Sequence, residues 1–105
     1  MGTFILLTQL THATPETDDI APDAVERRVT GRIRAACPNV EWLSSFAVLG
    51  PYDYLDIFRA PDIETALKVA TIVRRLGHAR VEVWGATEWT RFKDLARDAV
   101  PAPSA

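Results

Sequence analysis

The stretch Leu49-Gly50-Pro51-Tyr52-Asp53-Tyr54 separates two strand-like segments and constrains the fold more than any other part of the chain. Before it, Glu41 to Val48 mixes Trp42, Leu43, Phe46 and Val48 with small polar residues. After it, Tyr54-Leu55-Asp56-Ile57-Phe58 holds two large aromatics and one acid. Pro51 fixes its own φ and has no N–H, and Gly50 relieves the steric limits on a turn. The middle of the chain therefore reads as a β-hairpin, and the other elements are placed around it.

Thr3 to Leu10 is an apolar run of strand length, rich enough to be buried on both faces. A polar loop follows at Thr14-Pro15-Glu16-Thr17-Asp18-Asp19. Ala21-Pro22-Asp23 opens a helix, with Pro22 in its first turn and Asp23 at the positive end of its dipole. Val25, Val29, Ile33 and Ala36 form its apolar stripe, and Pro38-Asn39 ends it. Beyond the hairpin, Arg59-Ala60-Pro61-Asp62 leads into a second helix with the stripe Ile63, Leu67, Ala70, Val73 and Leu76, stopped by Gly77. Ala79 to Thr87 alternates as a strand, and Glu88 to about Arg97 is a short amphipathic helix carrying Trp89, Phe92, Leu95 and Ala96. Residues 1–98 form a single domain, and residues 99–105, rich in Pro and Ala, form a flexible tail. The order β-α-β-β-α-β plus a terminal helix is the ferredoxin-like α+β arrangement, an antiparallel four-stranded sheet with two helices on one face.

With 48% hydrophobic and 25% charged residues, the composition is that of an ordinary globular domain. A net charge of −2 argues against nucleic acid as the main partner, because phosphate binding needs a basic surface. Arg27, Arg28, Arg32 and Arg34 cluster, but acids such as Glu26 interleave with them, as on a solvated helix face. Cys37 is the only cysteine, so no internal disulfide and no zinc finger can form; it reads as a small buried hydrophobe in a reduced, cytoplasmic setting. No secretion signal and no apolar run approaching the roughly 18 residues of a membrane span is present, so no membrane partner is expected.

Leu49-Gly50-Pro51-Tyr52-Asp53, followed by an apolar strand and Ala60-Pro61-Asp62, resembles the GYD-domain family, with Gly50, Tyr52 and Asp53 as the three residues of its name. The resemblance runs from Phe4-Ile5-Leu6-Leu7 to about Leu95, with Trp42, the Gly77-His78-Ala79 turn and the segment Trp89 to Phe92 similar to a subset of members. It implies a ferredoxin-like, dimeric α+β barrel and no established activity. The loop from His12 to Ala21 departs from the pattern, being longer and more acidic.

Alternation along the strands yields the candidate site. With Leu55, Ile57, Val81 and Val83 facing the helices, Tyr54, Asp56, Phe58, Arg80, Glu82 and Trp84 face away. A second copy packed face to face would cover those aromatics, so a homodimer is expected. Asp56 and Glu82 would then stand about 9–10 Å apart across an intervening first strand, room for a small molecule or a bridging water. Burial among aromatics raises a carboxyl pKa, which suits acid/base chemistry near neutrality. Asp56 and Glu82, assisted by Tyr54 or His12, are the candidate catalytic groups; Trp84, Phe58, Trp42, Tyr52 and Asp53 are candidate ligand contacts. Plainer roles are open to several: Asp53 as a turn acceptor, Tyr52 as a packing residue, Asp56 paired with an arginine, and Glu82 paired with Arg80 or with a partner-chain cation at a sheet edge. His78 shares the strand face of Glu82 but stands about 13 Å along it, too far for a common metal. No nucleotide loop or serine-hydrolase motif is present, and no metal or cofactor is expected.

Two readings follow. One is a small homodimeric barrel that binds a partly apolar molecule, with cofactor-free chemistry of the cyclase, isomerase or monooxygenase type. The other is a non-catalytic interaction or regulatory module whose sheet face is used up in dimerisation.

Overall fold

A computed structural model describes residues 1–11 and 22–100. The elements run β1 (Gly2–Leu10), α1 (Pro22–Ala36), β2 (Glu41–Ala47), β3 (Tyr54–Ala60), α2 (Ile63–Leu76), β4 (Ala79–Ala86) and α3 (Trp89–Ala99). The four strands form one sheet in the order β2-β3-β1-β4, with every neighbouring pair antiparallel. This is the ferredoxin-like α+β order. The polar loop and His12 fall outside the described residues, as do residues 101–105 of the tail; helix α3 continues through Ala99, two residues further than the sequence pattern indicates.

Each helix is set by local chemistry. Asp62 sits in extended conformation before α2, and its Oδ1 accepts from the backbone N–H and from the hydroxyl of Thr65, each at 2.7 Å. That N-cap satisfies donors that the first turn leaves open, and the same bonds hold the Asp62 carboxyl below its ordinary pKa. At the other end, Gly77 donates to the carbonyl of Val73 at 2.9 Å, and His78 takes the left-handed conformation, φ 50°, that reverses the chain into β4. A Cβ on Gly77 would lie 2.6 Å from the Val73 carbonyl oxygen, so closeness of approach, and not φ, demands glycine there.

The core lies between one sheet face and helices α1 and α2. It joins Phe4, Leu6, Phe58 and Ala60 of the sheet to Ile33 and Cys37 at the end of α1, and to Ala66, Val69, Ala70 and Val73 of α2. Cys37 is buried as a small hydrophobe. The stripe expected on α2 is rotated: Ile63 and Leu67 are 65% and 54% exposed, while Ala66 and Val69 are fully buried. Small side chains on the inner face let the helix sit close to the sheet.

Replacing Gly77 by Ala should destabilise the domain by about 1–3 kcal/mol, the usual cost of overpacking. His78→Gly should stabilise it by up to about 1 kcal/mol, since a left-handed residue without Cβ escapes the steric penalty. Thermal melts of the two variants test both signs.

Candidate functional site

The hairpin turn is tied down by Asp53. Its N–H donates to the carbonyl of Thr8 at 2.8 Å, and its carbonyl accepts from Val48 N–H at 3.0 Å. Its Oδ2 accepts from Leu10 N–H at 2.7 Å. One residue thus joins the ends of β1, β2 and β3 just past the last ladder pair of β1 and β3, Thr8 with Tyr54. Tyr52 beside it is half-buried. Gly50 does not have a positive φ, and a Cβ there would meet nothing within 4 Å, so the turn does not depend on glycine's special freedom.

Strand β3 faces the other way from the sequence-based expectation. Phe58 is fully buried under the helices, its ring 5.7 Å from Phe4 and 5.2 Å from Trp42. Alternation then carries Tyr54 and Asp56 to the same, helix-facing side, and sends Leu55 and Ile57 to the open side. The register with β1 enforces this: Phe58 pairs with Phe4 and Asp56 with Leu6, while Ile57 pairs with Ile5 and Leu55 with Leu7. The other two expectations for strand facing hold. Val81 and Val83 pack against the core, and Glu82 and Trp84, opposite Leu7 and Ile5, stand on the far face.

Asp56 and Glu82 therefore lie on opposite faces of the sheet and cannot share a ligand. Asp56 is half-buried, and burial is the main force pushing its carboxyl above the ordinary 3.8; Ser45, hydrogen-bonded to it, opposes that rise, and the charge of Glu26 on α1 adds to it. Ser45 is its register partner on β2, and Tyr54 stands two residues before it on the same face. The buried Thr8, opposite Tyr54, completes a polar corner in an otherwise apolar layer. Sequence reasoning missed Ser45 and Thr8; the signal available was that a strand acid facing helices needs hydroxyl neighbours on the adjoining strands.

Glu82 is exposed, with Trp84 Nε1 donating to its Oε1 at 3.5 Å, a long contact. Trp84 itself is 48% exposed. Trp42 and Phe58 are occupied in stacking on the helix side and are not part of the far face. His78 is exposed at the start of β4, its carbonyl accepting from the hydroxyl of Thr11. Among the described residues, no group of three or more His, Cys, Asp or Glu side chains converges on a point where a metal could be held, and no helix is long and apolar enough to cross a membrane.

A family model for the GYD domain matches residues 4–96. The chain belongs to the GYD-domain family. In this GYD domain the motif residues Gly50, Tyr52 and Asp53 lie in one turn, whose Asp acts as a clamp between strand ends. No curated protein matches the chain. Among solved structures it is similar to the crystal structure of At3g17210 from Arabidopsis thaliana, at 10% identity over 84% of this chain and 95% of that one, with a TM-score of 0.49.

The raised Asp56 pKa has a definite consequence for stability. The folded state holds this proton more tightly than the unfolded chain does. Its contribution is complete below the unfolded value near 4 and is lost as pH rises through the folded value. Asp56→Asn should leave the melting temperature at neutral pH unchanged or raised. It should also flatten the loss of stability on going from about pH 4 toward neutrality. Melting curves of both proteins across that window check the sign; parallel curves would show that Asp56 is not the group responsible.

Proposed function

We propose that this GYD domain is a self-associating module, in which two copies stack through the sheet faces that carry no helices. One observation carries the reading. Ile5, Leu7, Leu55, Ile57, Phe46 and Trp84 share that face, and among the described residues no element of the chain lies over it. The reversal of β3 takes Asp56 off this face and puts Leu55 and Ile57 on it, in exchange for Tyr54 and Phe58. A contiguous apolar sheet face is a feature that soluble monomers avoid, and a two-fold copy of itself is the simplest cover. Phe58 belongs to the monomer's own core, so the association rests on Ile57 and its neighbours.

Light scattering should give a mass near twice 11.6 kDa. Ile57→Glu should shift it to the monomer while leaving the fold intact, since an unpaired charge buried at an apolar interface costs roughly 3–5 kcal/mol. A wild-type chain that runs as a monomer would refute the proposal.

A second reading has its own observation. The half-buried Asp56, its carboxyl pKa raised by burial, with Tyr54, Ser45 and Thr8 on the same face, is an arrangement suited to an acid/base group that binds a small, partly apolar molecule. On this reading any cofactor-free chemistry lies on the helix side, without Glu82. A panel of small phenols and enolisable ketones should raise the melting temperature of the wild type and not that of Asp56→Asn. Equal shifts in the two proteins would remove Asp56 from the site.

A further inference from the structure

Helix α3 is amphipathic and, among the described residues, lies against no other strand or helix. Trp89, Phe92 and Leu95 form an apolar stripe at helical spacing, 69%, 47% and 43% exposed, with the first two rings stacked 5.5 Å apart. An isolated helix of 11 residues falls below the roughly 12–15 needed for even marginal stability in water, so its packing surface has to come from elsewhere.

We propose that α3 is an exchange arm that lies on a second copy of this chain, its Trp89–Phe92–Leu95 stripe against the uncovered β2 edge of that copy. The inference rests on the sheet-to-sheet association proposed above. It is supported first by area. A face of four strands, each about seven residues long, offers roughly 450 Å², so two stacked faces bury only about 900 Å². A stable interface buries about 1,200–2,000 Å². The exposed parts of Trp89 and Phe92 alone offer roughly 250 Å² per arm, so two arms and the surfaces that receive them bring the total into that range. Position is the second support. The arm leaves from β4, one edge of the sheet, and β2 is the other edge. Two sheets related by a two-fold axis along their strands set β4 of one over β2 of its partner. There Phe46, on the far face opposite Leu55, and the neighbouring Leu43 are 54% and 48% exposed.

Sedimentation equilibrium of the full chain separates the arm from the sheet interface. Phe92→Glu with Leu95→Glu should raise the dimer dissociation constant by roughly 100-fold or more, the loss of two buried apolar groups. The melting temperature of the diluted monomers should stay that of the wild type, because α3 is not part of the monomer core. Arm variants that dimerise as tightly as the wild type, while Ile57→Glu does not, would overturn the arm and leave the sheet interface standing. A wild-type chain still monomeric at about 100 μM would overturn both. Binding of the wild type to anionic phospholipid vesicles, lost in the Phe92→Glu, Leu95→Glu variant while its dimer is unchanged, would overturn the second copy as the occupant.

Discussion

Strand β1 is central and apolar on both faces, and the domain is organised by having to cover it twice. It pairs with β3 on one side and β4 on the other. Its pleat sends Phe4, Leu6 and Thr8 toward the helices and Ile5 and Leu7 the other way. The first set is sealed within the domain by Phe58, Val81, Val83 and the small inner face of α2. The second set, Ile5 half-buried and Leu7 buried, lies on the sheet face over which no described helix packs. The far face and α3 both present apolar side chains that no described strand or helix packs against, and the proposed sheet association and exchange arm would cover them.

The turn that marks the family is structural in this chain. Asp53 accepts from Leu10 N–H and donates its own N–H to Thr8, so it continues the β1–β3 pairing past the end of the ladder. The proximity of this clamp to Asp56 is a matter of sequence spacing; Asp56 belongs to a different environment, a half-buried corner with Ser45 and a neighbouring acid on α1.

Which parts were legible follows from how unequal the alternatives were. The β-hairpin was readable because Gly50-Pro51 leaves few backbone choices. The facing of β3 was not readable. Leu55 and Ile57 on one side, Tyr54, Phe58 and Ala60 on the other, are nearly balanced in apolar content, so alternation defines two faces without saying which is inside. Register decides it, by placing Phe58 beside Phe4 and Trp42. The same kind of ambiguity misled on α2, where large Ile63 and Leu67 looked like the buried stripe. Close helix–sheet packing preferred Ala66 and Val69. The expected pairing of Asp56 with Glu82 failed with the β3 assignment, because a one-step reversal moves a whole strand's side chains across the sheet.

By itself the sequence determined the order of elements, the antiparallel ferredoxin-like sheet, the reversal at the turn and the family, since these rest on local backbone preference and periodicity. The tertiary structure alone decided which side of β3 is inside, that Asp56 sits under the helices while Glu82 stands on the open face, and that α3 packs on none of the other described strands and helices. Those outcomes depend on contacts between residues far apart in sequence, and local patterns carry no information on which of two balanced faces such contacts will bury.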